Sequence, residues 1–208
     1  SWPRPPMRGA VAPPARRISR PWRPRVRAVA DQVVLLDDAG RPSGAADRVS
    51  VHTGDTPYHL AFSSYLFDTA GRVLLTRRAL GKATWPGVWT NSCCGHPRPG
   101  ESPRDAVVRR VGDELGQVPT DLRLALASFS YRAVDGGGTV ENELCPVWVG
   151  RVDPAGLAPD PTEVMDVAWV AWPTLVRTVA EAPQLLSPWA VLQVPLLASV
   201  LAAEEGAA

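Results

Sequence analysis

The clearest structural signal in this sequence is a single helix whose start and end are both marked. Ser102 fits the N-cap position, Pro103 the first helical position and Asp105 the acidic third position of a capping box. Gly116 is a typical C-terminal stop. Between these signals an apolar residue recurs at every fourth position: Val107, Val111 and Leu115. The sequence therefore predicts an amphipathic helix between Ser102 and Gly116.

Strand-like runs lie before and after this helix. Before it they cover residues 32–36, 58–67 and 72–76, and after it residues 124–133, 139–149 and 164–170. Turns rich in Asp and Gly separate several of them, at residues 37–40, 68–71 and 135–138. Two weaker helices are predicted over residues 172–180 and 188–204, whereas residues 41–57 and 77–100 are predicted to be loops. This order of elements predicts an α+β fold in the form of an α/β sandwich.

The N-terminal 28 residues differ in composition from the rest of the chain. They contain eight arginines and no acidic residue, so the remainder carries a net charge of −7, because the whole chain totals +1. We predict a disordered, basic, Pro/Arg-rich tail over residues 1–30 and one ordered domain over residues 31–203. The tail lacks the apolar segment of a secretory signal. It could contact nucleic acid or an acidic membrane surface, but the favoured interpretation is an unstructured extension, or sequence upstream of a start at Met7.

Cysteine usage and hydropathy predict where in the cell the protein is located. The three cysteines are an odd number, and two of them are adjacent: Cys93, Cys94 and Cys145. No disulfide framework is visible, which favours reduced thiols and a cytoplasmic location. No run of 18 apolar residues occurs, so no membrane span is predicted.

Five side chains form a candidate metal site. His52, His59 and His96 are the only histidines in the chain, and Glu141 and Glu143 are two residues apart in a strand-like run. That spacing turns both carboxylates to one face of a sheet. Imidazoles with carboxylates suit a divalent cation such as Zn²⁺, Mn²⁺ or Fe²⁺. On spacing alone, the alternative of hydrogen-bonded core histidines beside a solvated acidic strand is equally favoured.

Two further groups could take part in chemistry. A loop position near His96 favours a reactive thiol at Cys93 or Cys94, and spacing does not choose between them. Arg77, Arg78 and Lys82 could bind an anion, since guanidinium groups match phosphate oxygens. The alternative for these three residues is a solvated basic turn.

Residues 95–117 follow the pattern of a Nudix box. Gly95 is followed after five residues by Glu101, and seven residues later the sequence continues as Arg-Arg-Val-Gly-Asp-Glu-Leu-Gly over residues 109–116. Arg110 replaces a glutamate of the hydrolytic form, while Asp113 and Glu114 remain. The segment resembles a Nudix fold, a mixed sheet flanked by helices, in which the hydrolytic metal cluster has been altered.

Residues 31–195 resemble the type 1 isopentenyl-diphosphate delta-isomerases. The matching stretches are residues 52–56 (HTGDT), 59–64 (HLAFSS), 76–80 (TRRAL), 85–92 (WPGVWTNS), 94–97 (CGHP), 131–133 (YRA), 140–146 (VENELCP) and 187–189 (SPW). The resemblance implies an isomerase that interconverts isopentenyl diphosphate and dimethylallyl diphosphate in isoprenoid biosynthesis. A Nudix pyrophosphohydrolase and a non-catalytic metal-binding module remain as alternatives.

The resemblance also implies residue roles. Cys94 and Glu143 correspond to the acid–base pair, Tyr131 to a tyrosine beside that glutamate, and Trp189 to an aromatic over the isoprenoid end. One Mn²⁺ or Zn²⁺ is implied at five ligands: His52, His59, His96, Glu141 and Glu143. Glu114 corresponds to a ligand of a Mg²⁺ bound to the substrate diphosphate. Arg78 and Lys82 correspond to diphosphate-binding positions, and Arg48 replaces a lysine at a third. We expect no nucleic-acid partner and a monomer or weak dimer.

Overall fold

The structure, a computed structural model, describes residues 31–206. The predicted tail over residues 1–30 lies outside the described residues. Within them the strands are β1 Gln32–Leu36, β2 Pro42–Asp47, β3 His59–Leu60, β4 Phe62–Phe67, β5 Arg72–Arg78, β6 Trp89–Thr90, β7 Cys93–Gly95, β8 Thr120–Leu126, β9 Ser130–Val134, β10 Val140–Leu144, β11 Val147–Arg151 and β12 Val164–Ala171. The α-helices are α1 Pro103–Leu115, α2 Trp172–Glu181 and α3 Pro188–Glu205.

The strands form two mixed sheets. The smaller sheet has the order β2-β1-β3-β10-β9, and the larger has the order β12-β5-β4-β11-β8, with β6 added to β5 and β7 added to β4. The pairs β3–β10 and β4–β11 are parallel, and the other pairs are antiparallel. The predicted α+β fold with a mixed sheet is confirmed.

Helices cover both faces of the larger sheet because side chains alternate along its strands. On β4, Leu66 belongs to the core beneath α1, whereas Tyr65 belongs to the core beneath α2 and α3. The predicted stripe of α1 is buried in the first core. Leu175 of α2 and Leu197 of α3 are buried in the second. Each such leucine contributes about 2 kcal/mol of transfer free energy on burial.

The signals that define α1 act as predicted. The Ser102 hydroxyl accepts a hydrogen bond from the Asp105 backbone N–H at 3.1 Å, and Gly116 adopts a left-handed conformation with φ of 72°. A glycine is suited to that position because a Cβ would be strained there. Helix α1 therefore begins and ends where the sequence predicts.

The prediction of a loop over residues 41–57 was wrong in part. Residues 42–47 form β2, which pairs antiparallel with β1 at the sheet edge. Its sequence, Pro-Ser-Gly-Ala-Ala-Asp, has no β-branched or aromatic residue, so pairing with β1 outweighs a low strand propensity. Residues 77–100 are mostly irregular as predicted, but they contain the short strands β6 and β7.

Three predicted single strands are each divided between the two sheets. Residues 58–67 form β3 and β4, residues 124–133 form parts of β8 and β9, and residues 139–149 form β10 and β11. The last division falls at Pro146, which has no N–H to continue a ladder. At each break the chain passes from one sheet to the other, and these crossings position the candidate site.

Among residues 31–206, no helix is both long and apolar enough to cross a membrane.

Candidate active site

The site lies where strands of the two sheets approach each other. In the smaller sheet, His59 of β3 is the register neighbour of Glu143 on the parallel strand β10. In the larger sheet, Cys94 of β7 pairs with Ser63 of β4, and His96 follows one residue after β7 ends. Backbone pairing within each sheet thus brings side chains from three distant parts of the chain to one site.

Four of the five predicted metal ligands form one compact cluster. One ligand atom each from His52, His59, His96 and Glu143 lies within 4.8 Å of the other three. The Nε2 atoms of His59 and His96 are 3.3 Å apart. Glu143 Oε1 lies 3.1 Å from His96 Nε2 and 3.4 Å from His59 Nε2. Three imidazoles therefore converge with a carboxylate on a single point.

The orientation of the His59 ring is fixed by a backbone group. His59 is fully buried, and its Nδ1 lies 2.9 Å from the carbonyl oxygen of Pro57. A carbonyl only accepts, so Nδ1 carries a proton and Nε2 is the ring nitrogen that faces the cluster. Burial alone would lower the pKa of His59, but the neighbouring Glu143 carboxylate outweighs burial and raises it. Metal-binding histidines are commonly oriented by a second hydrogen bond of this type.

His52 and Glu141 each have a buried polar atom that a bound cation could satisfy. His52 Nε2 and Glu141 Oε2 are 3.0 Å apart, yet both atoms are buried without a hydrogen-bond partner. A buried polar atom without a partner is costly, and coordination of a cation would satisfy both. Glu141 is not one of the four mutually close residues, so it is placed beside the cluster through His52. Imidazole and carboxylate donors together fit a divalent transition metal.

Burial and the histidines set the protonation preferences of the cluster. Burial alone would raise the pKa of the Glu143 carboxyl, but contacts with His59 and His96 outweigh burial and lower that pKa well below its usual range. Burial lowers the pKa of His96, although Glu143 opposes this. An ionised carboxylate and a neutral imidazole are the forms that bind a metal.

The two adjacent thiols point in different directions. Cys94 packs beside Trp85, Tyr131 and Trp189, whereas Cys93 is buried in the core beneath α1. Neighbouring residues of a strand face opposite sides of a sheet, and this separates the pair. The structure therefore distinguishes two thiols that spacing alone leaves equivalent.

The Cys94 thiol is held in its protonated form. Burial raises its pKa to about 11, and a hydrogen bond with Ser63 together with the charge of Arg78 offsets only part of that effect. The sulfur donates to Asn91 Oδ1 at 3.1 Å. Cys94 can therefore act as a proton donor at neutral pH.

Three aromatic side chains lie beside this thiol and form an aromatic wall: Trp85, Tyr131 and Trp189. Trp189 is buried, with its ring centroid 5.4 Å from Trp85 in an edge-to-face arrangement and 5.8 Å from Tyr131. The guanidinium carbon of Arg78 lies 5.7 Å from the Trp189 ring centroid. The wall thus offers π surfaces close to both a thiol and a fixed positive charge.

A cavity of about 330 Å³ joins these groups. The predicted site residues that line it are Arg48, His52, Arg78, Lys82, Cys93, Cys94, His96, Glu114, Tyr131, Glu141, Glu143 and Trp189. His59 belongs to the cluster but not to the lining, and Arg77, a candidate anion ligand, instead donates through Nε to the carbonyl oxygen of Gly87. The volume is in the range of small-molecule sites.

The basic residues of the cavity are already paired with protein groups. Arg78 donates to the carbonyl and hydroxyl oxygens of Thr84, Lys82 pairs with Glu163, and Arg48 pairs with Asp31. The Arg78 contacts fix its side chain. If an anion bound here, Glu163 would have to release Lys82, and Asp31 would have to release Arg48.

Sequence reasoning missed the structural role of Arg110. It forms an ion pair with Glu114 one helical turn away, and lies 3.6 Å from Glu163. The carboxylates of Glu114 and Glu163 raise its pKa, although burial opposes this. Its position in the Nudix-box pattern was the available signal. Glu114 Oε2 also accepts from the Cys93 thiol at 3.4 Å, so both oxygens of Glu114 have protein partners.

Comparison with known proteins identifies the family of this chain. The family model described as "NUDIX domain" matches residues 57–190. An isopentenyl-diphosphate Delta-isomerase from Frankia alni is 60% identical over 167 residues, which cover 79% of this chain and 84% of the relative. One from Mycolicibacterium vanbaalenii is 58% identical over 168 residues, covering 81% and 92%. The chain belongs to the isopentenyl-diphosphate Delta-isomerase family.

Membership of the isopentenyl-diphosphate Delta-isomerase family confirms the resemblance drawn from the sequence. The likeness to solved structures is more distant. A crystal structure of a Deinococcus radiodurans protein superposes with a TM-score of 0.56 at 18% identity, over 73% of this chain and 90% of that one. At that identity the superposition shows the shared fold alone.

Proposed function

We propose that this chain interconverts isopentenyl diphosphate and dimethylallyl diphosphate by adding a proton at one carbon and removing a proton from another. One observation carries the proposal: Cys94 and Glu143 line the same cavity, and their surroundings shift their pKa values in opposite directions. Burial raises the pKa of Cys94 to about 11, whereas contacts with two histidines hold the pKa of Glu143 low despite burial. Groups whose pKa values are pushed apart in this way suit an acid and a base.

The two groups have defined tasks in the reaction. An unactivated alkene is a poor base, so the proton must come from a group placed against its terminal carbon. Cys94 donates that proton, and the alkene becomes a tertiary carbocation. Glu143 then removes a proton from the neighbouring methylene carbon, which forms the new double bond. In the reverse direction the two residues exchange roles.

The histidines and glutamates of the cluster, His52, His59, His96, Glu141 and Glu143, would hold one divalent cation, with Mn²⁺ and Zn²⁺ as our candidates. The ion would supply positive charge that keeps Glu143 oriented and tunes its proton affinity. The two histidine contacts both use Oε1 of Glu143. These contacts leave Oε2 as the oxygen that exchanges the substrate proton.

We assign the diphosphate to the basic side of the cavity, at Arg48, Arg78 and Lys82, with Arg110 as an additional group. Binding there is remote from the reacting carbons and can supply the energy that orients them. A Mg²⁺ carried by the diphosphate would contact Glu114. Because Glu114 pairs with Arg110, that ion would rely mainly on phosphate oxygens, as Mg²⁺ commonly does.

Trp189 is proposed to stabilise the carbocation with its π surface, and Tyr131 to help shape this end of the cavity. A desolvated cation–π contact is worth about 2 kcal/mol, which corresponds to roughly 30-fold in rate. We expect Trp189→Leu to lower kcat by about that factor with little change in KM. Trp172→Leu is the matched control, since Trp172 packs against Tyr65 and Phe67. A raised KM with unchanged kcat would instead indicate a packing role for Trp189.

Isotope incorporation tests the function directly. The enzyme, incubated with isopentenyl diphosphate in D₂O, is expected to form dimethylallyl diphosphate that carries solvent deuterium. The hydrolase alternative predicts phosphate or pyrophosphate release from nucleoside diphosphates, and Arg110 at the altered position of the box argues against it. A non-catalytic metal module predicts bound metal with no deuterium in the substrate. Either of these last two results would remove the isomerase proposal.

The three free cysteines also support our proposal of a reducing, cytoplasmic location.

A further inference from the structure

We propose that Asn91 is a positioning residue that holds the Cys94 sulfur and the Trp189 indole in one fixed relation. The inference rests on the proposed isomerase function and adds a residue to it. Asn91 is fully buried between β6 and β7. It does not line the cavity, so it would act through its neighbours rather than on the substrate.

One oxygen atom of Asn91 contacts both groups. Its Oδ1 accepts from the Cys94 thiol at 3.1 Å and from the Trp189 indole N–H at 2.9 Å. The Thr90 hydroxyl donates to the same oxygen at 2.8 Å. Cys94 belongs to β7, and Trp189 belongs to the first turn of α3. Asn91 therefore connects the proposed acid and the proposed cation-stabilising ring across two elements.

The orientation of this amide is determined by its other end. Asn91 Nδ2 donates to the carbonyl oxygens of Ser64 and Cys93, each at 3.0 Å. A flipped amide would place Oδ1 against two carbonyl oxygens and Nδ2 against the indole N–H, so every one of these contacts would become repulsive. The hydrogen-bond network thus specifies that an acceptor faces the thiol and the indole.

The fixed acceptor has a consequence for geometry. A thiol that donates to Oδ1 has its sulfur at a set distance from the face of Trp189, where the carbocation would form. Displacing a catalytic group by about 1 Å can cost on the order of 100-fold in rate. Loss of the acceptor would move both groups, since the same atom holds each of them.

The first test is Asn91→Leu, which keeps the side-chain size and removes the acceptor. We expect kcat to fall by about 100-fold, with KM for isopentenyl diphosphate nearly unchanged because the basic residues are untouched. The matched control is Ser92→Ala. Ser92 is a buried neighbour whose hydroxyl accepts from the Leu66 N–H at 2.8 Å and donates to the Leu74 carbonyl at 2.6 Å. It supports the same loop without contacting the thiol or the indole, and its loss is expected to reduce thermal stability while most of kcat remains.

A double-mutant cycle separates positioning from general support of the loop. Trp189→Phe removes the indole N–H and keeps an aromatic ring. In the wild type, Trp189→Phe is expected to lower kcat. In the Asn91→Leu background the factor by which it lowers kcat is expected to be at least about threefold smaller, because the shared hydrogen bond is already absent. If kcat of the double variant falls by the product of the two single-variant factors, the substitutions act independently and the proposal is wrong. Equal losses of kcat in Asn91→Leu and Ser92→Ala would also overturn it.

Folding and function are checked in the same experiment. If Asn91→Leu does not fold, Asn91→Ser provides the second variant, since its shorter side chain cannot reach both donors; the same loss of kcat at unchanged KM is expected. Full kcat in a folded Asn91 variant would overturn the positioning role. An inactive wild type would instead overturn the isomerase proposal, so the two failures are distinguishable.

Discussion

Cys94→Ala is expected to lower turnover of isopentenyl diphosphate by about 1,000-fold or more, because a positioned general acid contributes roughly 10²- to 10⁴-fold and an alkene cannot easily take a proton from water instead. The thiol is the proton-bearing group beside the aromatic wall, and burial keeps its pKa at about 11. The measurement is steady-state kcat together with the rate of deuterium incorporation in D₂O. Both are expected to fall together.

The neighbouring thiol provides the control. Cys93→Ala removes a sulfur that contacts the α1 core and Glu114 rather than the aromatic wall. We expect most of kcat to remain and a stability loss of about 1 kcal/mol from the smaller side chain in a packed core. Equal loss of turnover in both variants would contradict the assignment of Cys94 as the acting thiol.

Removal of the divalent cation is expected to abolish isomerase activity, with recovery on adding Mn²⁺ or Zn²⁺ but not on adding Mg²⁺ alone. The cluster offers three imidazole nitrogens, which Mg²⁺ rarely accepts as ligands. Metal removal should also lower Tm, since an ion at about 100 times its Kd adds about 2.7 kcal/mol to the free energy of unfolding. Activity and thermal unfolding would be measured on chelated and reconstituted protein.

Two variants separate metal binding from catalysis. His96→Ala lacks one imidazole, so added Mn²⁺ or Zn²⁺ should raise its Tm much less than that of the wild type. Cys94→Ala is expected to be inactive yet still stabilised by the metal, because its sulfur is not one of the clustered ligands. Full activity of chelated protein in Mg²⁺ alone would contradict the proposed role of the cluster.

Local signals in the sequence were sufficient for α1 and its caps. Ser102 and Gly116 make their capping contacts within a few residues of themselves, so their effect can be predicted without the tertiary structure. The divided strands were not predicted, because a run such as residues 139–149 has strand character throughout. Only the pairing of β10 with β3 and of β11 with β4 shows that the two halves belong to different sheets. The strand β2 was missed because its residues have low strand propensity, and only its pairing with β1 makes it a strand.

The sequence predicted which residues make up the candidate site, but not most of the contacts between them. The short motifs around His52, His96 and Glu143 gave the residue types from the family resemblance. The contact of Arg110 with Glu114 is an exception that the sequence could have predicted, because residues four apart are neighbours on the predicted helix. The contacts of Asn91 with Cys94 and Trp189 join residues up to 98 positions apart, and no local pattern signals them.

The metal cluster draws its residues from both sheets, so a bound cation would connect them. His59 and Glu143 are register neighbours in the smaller sheet, whereas His96 directly follows a strand of the larger one. A cation bound by all of them would add a link between the two sheets, and its loss would remove that link. Amide hydrogen exchange in β3 and β10 should therefore report metal occupancy, even in a variant that cannot turn over substrate.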